Sequence, residues 1–244
     1  MNRNELLNLL RDLELRGAAA AFERLTREPE QLQDMPPEVL LGMLLTAERN
    51  ERLLRQQQYL LKTSHIPYIV NPGDISFDQE RGADFKAKMT RLLSLDFIKL
   101  GQNLTVFGSS GTGKSFIAAA LARQACLEGM SALYASTTAI IANLQLNYGS
   151  PSYYSKLKTL GNKSLLVLDD FCLTEYNIDE QTILFDILNG RYGRKSTLIV
   201  SQKLPDAWLE GLGATALAQS IVERAGNNNF TLILKGDSRR HSLD

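Results

Sequence analysis

GSSGTGKS, residues 108–115, is the stretch that decides the fold. It follows a short, mostly apolar run at residues 104–107 and opens a helical run over residues 116–125. The pattern G-x-x-x-x-G-K-[ST] between a strand and a helix is a phosphate-binding loop. Gly108, Gly111 and Gly113 carry no Cβ, so the backbone there can come close to phosphate oxygens. The N–H groups of Ser110, Gly111, Thr112, Gly113, Lys114 and Ser115 form an anion nest at a helix N-terminus, flanked by Ser109 and Phe116. Lys114 reaches the β- and γ-phosphates, and the Ser115 hydroxyl is a ligand for Mg²⁺. A flexible Gly/Ser turn is the plain alternative. The complete pattern with its flanks argues against it.

Downstream, LLVLDD at residues 165–170 is an apolar strand ending in acid, which puts a carboxylate at the sheet edge beside the loop. Asp169 there can hold Mg²⁺ opposite Ser115, and Asp170 can orient or deprotonate the attacking water. Asp170 is one methylene shorter than the Glu usual at that position, and either acid could instead serve a turn or a helix N-cap. Val200-Ser201-Gln202 ends another strand, where Ser201 or Gln202 could face the γ-phosphate or simply terminate the strand. Arg224, after a helical run at residues 216–223, and Arg239 and Arg240, near the end, are further candidates, because a guanidinium suits phosphate. Arg224 is the better finger onto a neighbouring subunit's nucleotide. Outside such a context each arginine is a solvated charge.

The N-terminal third reads as helix. Leu6, Leu9, Leu10 and Leu13 form one stripe, and Gly17 allows a bend or break. Pro29, Pro36 and Pro37 punctuate the next stretch, and a helix starts at about Glu38. Turn signals between His65 and Asp78 place a boundary, giving a helical domain at 1–70 and a nucleotide domain at 71–244. Strands are expected at 104–107, 131–135, 164–168, 196–200 and 230–234, with helices at 85–95, 137–148 and 179–192. Alternating strands and helices imply an α/β fold, a parallel sheet covered on both faces.

The 244 residues suffice for such a domain plus a small helical one, and 22% charged residues with zero net charge neither support nor exclude nucleic acid. Cys126 and Cys172 lack CxxC spacing and read as core. No secretory start and no apolar run near the ~20 residues of a membrane span are visible. A cytoplasmic location and no membrane partner are expected.

Together GSSGTGKS, LLVLDD, VSQ, VERAGNN and KGDSRRH resemble an AAA+ ATPase. More narrowly, LLRDLELRGAAAAFERL, TAERNERLLRQQQYLLKTSHIP, LDDF, SQKLPDAW and the KGDSRR ending resemble the IstB-like ATP-binding proteins, helpers of IstA-type insertion-sequence transposases. Their relatives are the DnaC-type helicase loaders. The resemblance implies a bacterial cytoplasmic P-loop NTPase that binds ATP and Mg²⁺, oligomerises on double-stranded DNA, remodels a target site and recruits or stimulates the transposase. Hydrolysis, slow and stimulated by DNA or partner, resets it. It carries over Gly113, Lys114 and Ser115 for phosphate and metal, Asp169 for Mg²⁺, Asp170 for hydrolysis, Ser201 or Gln202 as first sensor, Arg224 as finger and Arg240 or Arg239 as second sensor. The chain ends ten residues after Leu234, which leaves no room for a helical lid. The narrower relatives are lidless too, and a second sensor usually depends on a lid.

For DNA contact, YGSPSYYSKLKTLGNKS at 148–164 reads as a basic, aromatic, loop-like segment: Tyr153, Tyr154, Lys156 and Lys158 could meet sugars, bases and phosphates. Tyrosines partly packed in the core beside a solvated face are an equal reading. Arg49, Arg52, Arg55 and Lys62 share one helical segment and could add phosphate contacts. Rivals to the transposition helper are a DnaC-like helicase loader and a small-molecule kinase on the same loop.

Overall fold

Five short apolar runs form one parallel sheet. The computed structural model describes residues 2–27, 35–77, 84–236 and 238. The strands are β1 (Asn103–Gly108), β2 (Ala132–Ser136), β3 (Leu165–Asp169), β4 (Ser196–Ser201) and β5 (Asn229–Leu234), in the order β2-β3-β4-β1-β5. Each end lies within one residue of the expected one. The runs are nearly continuous in apolar residues because helices cover both faces. On one face, Leu104, Val106, Leu165, Val167, Leu198 and Val200 pack under α6 (Lys114–Leu127) and the short α4 (Phe85–Leu93) and α5 (Asp96–Lys99) that precede β1. On the other, Phe107, Leu166, Leu168 and Ile199 meet α7 (Thr137–Gln145), α8 (Pro151–Asn162), α9 (Ile178–Arg191), α10 (Pro205–Gly211) and α11 (Ala216–Gly226).

The sequence reading did not anticipate α5, α8 and α10. The segment read as loop-like between β2 and β3 is α8. Ser150 caps it, its side chain accepting from the Tyr153 N–H, and Pro151 occupies the first turn. Its apolar face, Tyr153 and Leu160 with Leu157, is pressed against the core.

One side chain joins α8, α9 and β4. Arg191, 1% exposed, donates from Nε to Thr197 Oγ1 (3.1 Å), from Nη1 to the Leu160 and Lys163 carbonyls and from Nη2 to the Ser196 carbonyl. Burial draws its pKa down to about 9, which still leaves it cationic at neutral pH. The planar fork adds a donor to the Leu160 carbonyl, which also takes the Lys163 N–H (3.3 Å), and supplies one to the Lys163 carbonyl just past the C-terminal end of α8.

The chain divides into compact units at 1–59 and 60–244, so the division falls inside α3 (Pro37–Thr63), earlier than the turn signals suggested. In the first unit, α1 (Arg3–Asp12) starts with a capping box of Asn2 and Glu5. α2 (Arg16–Leu25) begins after Leu15, which offers no capping oxygen. Glu48 of α3 supplies one instead: its Oε2 accepts from the Gly17 N–H (2.8 Å) and the Ala18 N–H (3.3 Å). Burial alone would raise the Glu48 pKa, but hydrogen bonds from Arg52, Ala18 and Gly17 outweigh it and hold it below the ordinary carboxyl value. A depressed folded pKa stabilises above the unfolded pKa, and that contribution is lost as pH falls through the folded one.

Gly17 marks a close approach rather than the expected break, which falls at residues 13–15. A Cβ there would lie 2.5 Å from the Ala47 carbonyl oxygen. Gly17→Ala is expected to cost about 1–2 kcal/mol net, because the backbone clash exceeds the helix propensity gained. Amide exchange should show it as roughly tenfold lost protection at residues 17 and 18 with sheet amides unaffected; unchanged protection would refute the close contact.

Candidate nucleotide site and the surfaces around it

The phosphate-loop pattern lies where β1 ends and α6 begins. Gly111 and Gly113 take φ of +83° and +91°, a region costly for residues with a Cβ. The loop closes on one carbonyl: Ser109 O accepts from the Thr112 N–H (3.4 Å), Thr112 Oγ1 (2.9 Å) and Lys114 Nζ (2.7 Å). Lys114 is buried. Gly113, the residue before α6, has no side chain with which to cap the helix, and a helix N-terminus of this kind suits an anion. The far end of β5 comes close, the Leu234 carbonyl lying 2.8 Å from where a Gly108 Cβ would be.

Two strands away, Asp169 ends β3 on the α6 side of the sheet. Its Oδ1 accepts from the Asp170 N–H (2.9 Å), its Oδ2 from the Tyr134 hydroxyl, and its carbonyl from Thr137 Oγ1 (2.8 Å). Burial, then the Asp169 carboxylate, pushes the Tyr134 pKa far up, so the phenol is a donor at all ordinary pH. Tyr134 escaped the sequence reading, because nothing near it in the chain marks it. Asp170 is exposed at φ +55°, turned out of the strand line.

β4 runs between β3 and β1. Its terminal serine is a correction. Ser201 Oγ donates to the Phe171 carbonyl (2.8 Å) and accepts from Trp208 Nε1 (2.9 Å) and the Lys203 N–H (3.1 Å), inside the core. With its donor and both acceptor positions taken, that hydroxyl is structural. Gln202 is exposed and is the sensor candidate that remains.

Arg224 lies within α11 rather than after it. Its Nε donates to Asn189 Oδ1 (3.1 Å) and its Nη1 to the Ser220 carbonyl (3.1 Å), with the guanidinium over Phe185 at 4.5 Å. Its carbonyl accepts from Asn103, the first residue of β1 (3.1 Å). The phosphate loop is at the other end of that strand, about 16 Å away. Arg224 is therefore out of reach of its own chain's loop. Arg239 and Arg240, like Pro29, fall outside the described residues.

A family profile described as IstB-like ATP binding protein matches residues 8–243. The chain belongs to the IstB-like ATP-binding proteins. An insertion sequence ATP-binding protein of Sinorhizobium fredii is 36% identical over 97% of this chain and 96% of its own length. The ATP-binding protein of insertion sequence IS21 from Pseudomonas aeruginosa is 30% identical over 82% and 75%. Among solved structures, DnaI (TM-score 0.57, 21% identical, 70% of this chain and 90% of that one) shares the fold. So does the DnaC helicase loader (TM-score 0.52, 21% identical, 68% and 96%). The fold is thus the AAA+ P-loop type, and this IstB-like chain is an ATPase of that class. Among the described residues, no helix is long and apolar enough to cross a membrane.

In this IstB-like chain the proposed DNA residues separate. Tyr153 is a correction: it is 2% exposed, with its hydroxyl on Asp186 (2.6 Å), so its ring cannot meet a base. Tyr154 and Lys158 are exposed on α8, and Lys156 is tied to Asn143 Oδ1 (2.9 Å). Beside Lys158, Arg194 and Lys195 line the same depression of about 420 Å³, two cations the sequence reading passed over. In the N-terminal unit, Arg52 pairs with Glu48 (2.6 Å) and Arg55 with Glu51 (3.4 Å), which spends much of their charge internally.

Proposed function

We propose that this protein is an ATP-switched assembly factor for insertion-sequence transposition. With ATP bound, copies assemble on double-stranded DNA, remodel the target site and recruit or stimulate an IstA-type transposase; hydrolysis then releases the assembly. The observation that carries this reading is family membership over nearly the whole chain, with relatives named for insertion sequences. The same membership leaves no ground for a small-molecule kinase.

In this reading, Lys114 and the first-turn amides of α6 bind the phosphates. Ser115 and Asp169 would hold Mg²⁺: both are hard oxygen donors, and one or two protein ligands plus phosphate and water is what that ion takes. Bound there, Mg²⁺ would neutralise charge on the β- and γ-phosphates. Asp170, exposed beside Asp169, orients or deprotonates the attacking water, and Gln202 reads the γ-phosphate. The exposed cations Lys158 and Arg194 and the half-buried Lys195, with exposed Tyr154, give DNA a positively charged face.

The position of Arg224 is compatible with oligomerisation: out of reach of its own loop, it would act on a neighbour's by exchanging its bonds to Asn189 and Ser220. Arg224→Ala is expected to lower ATP turnover by about 10³-fold or more. Mixing it with Lys114→Ala protein should restore part of the rate, because mixed sites combine an intact loop with an intact arginine. No recovery on mixing would sink the shared site. For the whole reading, the test is sedimentation with duplex DNA and a non-hydrolysable ATP analogue: nucleotide-dependent large complexes are expected, and protein that stays unassembled refutes it. The likeness to DnaC and DnaI favours a second reading, a helicase loader. Pull-down decides between them, recovery of a replicative helicase without transposase selecting the loader.

A further inference from the structure

Tyr134 lies deeper in the sheet than any residue of the phosphate loop, yet its hydroxyl ends at the metal side of the site. β2 and β3 pair in parallel with Tyr134 opposite Val167 and Ser136 opposite Asp169. Tyr134 therefore shares a sheet face with Asp169 but starts about 6.6 Å, two residues, below it. The side chain spans that gap, and its hydroxyl donates to Asp169 Oδ2. That oxygen is therefore in contact with one of the two residues proposed for Mg²⁺. The ring is 7% exposed and packs in the core beneath α6. Its backbone is fixed as well, the Tyr134 N–H donating to the Ser64 carbonyl at 2.7 Å.

We infer that Tyr134 is a positioning residue for the metal side of the nucleotide site, its hydroxyl fixing the orientation of the Asp169 carboxylate. The inference rests on the reading of Asp169 as the Mg²⁺ carboxylate. The carboxyl torsion of an aspartate is broad and nearly free unless its oxygens are engaged. Here Tyr134 takes one lone-pair direction on Oδ2 and the Asp170 N–H one on Oδ1. A carboxylate has about four such directions, so capacity remains for a cation or its water shell. Pre-orientation of this kind removes an ordering cost when the ion binds. A buried tyrosine that merely finds an acceptor is the competing account, and it makes a different prediction.

The test is binding of a fluorescent ATP analogue by the full chain, in EDTA and across a Mg²⁺ titration, for the wild type, Tyr134→Phe, Asp169→Asn and the double variant. Tyr134→Phe removes one oxygen and keeps the ring. It is expected to leave affinity in EDTA within about twofold, and to raise the Mg²⁺ concentration for half-maximal enhancement by about tenfold, the size typical of lost partners behind metal ligands. The double variant should be no worse than Asp169→Asn alone, since the tyrosine acts through that carboxylate. An unchanged Mg²⁺ midpoint in Tyr134→Phe, with a shifted one in Asp169→Asn, overturns the inference and leaves the role of Asp169 intact. An equal loss of affinity with and without Mg²⁺ marks a packing defect and overturns it too. An unchanged midpoint in Asp169→Asn removes Asp169 from the metal site, and the inference with it.

Discussion

Replacing Lys114 by alanine is expected to lower ATP affinity by about 10²-fold while leaving the loop folded. The ammonium is buried, so its interaction with phosphate is little screened by water. Charge-assisted hydrogen bonds of this kind contribute about 1.5–3 kcal/mol each, and Lys114 has more than one donor to give. Its present bond to the Ser109 carbonyl is shared with the Thr112 amide and hydroxyl, which stay to hold the turn after the lysine is gone. The melting temperature without nucleotide should therefore change little. The stabilisation by ATP should nearly vanish: at a concentration 100 times the wild-type Kd it falls from about 2.7 to about 0.4 kcal/mol. Thermal unfolding with and without ATP measures both quantities. Wild-type stabilisation in Lys114→Ala would remove the lysine from phosphate binding, and with it the basis of ATP-dependent assembly.

The largest effect on stability is expected at Arg191, far from the nucleotide. Arg191→Met keeps an unbranched side chain in the same space but removes the guanidinium donor from the Lys163 and Ser196 carbonyls and the Thr197 hydroxyl, and one of two donors from the Leu160 carbonyl, which keeps the Lys163 N–H. Buried groups stranded in this way cost about 1–3 kcal/mol each, and with partial relaxation the total should be about 3–5 kcal/mol. Against an ordinary stability of 5–15 kcal/mol, roughly, that is severe. Arg191→Lys keeps the charge without the fork and should lose about half as much. Trp208, the single tryptophan, is buried on the same face of the sheet and reports the urea transition by fluorescence. A loss below about 1 kcal/mol in Arg191→Met would mean that the carbonyls find other donors.

The strands were legible because a parallel strand covered on both faces must be apolar at successive positions, and that signal lies within five or six residues. The phosphate loop was legible for a similar reason: glycines, lysine and serine act through backbone that is contiguous in the chain. α8 was readable but missed. Its Ser150-Pro151 start and the spacing of Tyr153, Leu157 and Leu160 are helical signals, and the lysines and tyrosines between them drew attention away. Ser201 and Gln202 show the other limit. Both are polar at a strand end, and only the arrival of Trp208 and the Phe171 carbonyl takes the serine out of the site.

The sequence alone therefore determined the class of sheet, the places of its five strands in the chain and the phosphate-loop pattern, each written in neighbouring residues. Only the tertiary structure decided which polar side chains are spent inside the fold and which remain for function. Glu48 caps a helix 31 residues away, Arg191 binds a carbonyl 31 residues away, and Tyr134 meets Asp169 across 35 residues. Such partners are set by strand register and helix packing, which bring distant residues to hydrogen-bond distance and leave no local pattern in the chain.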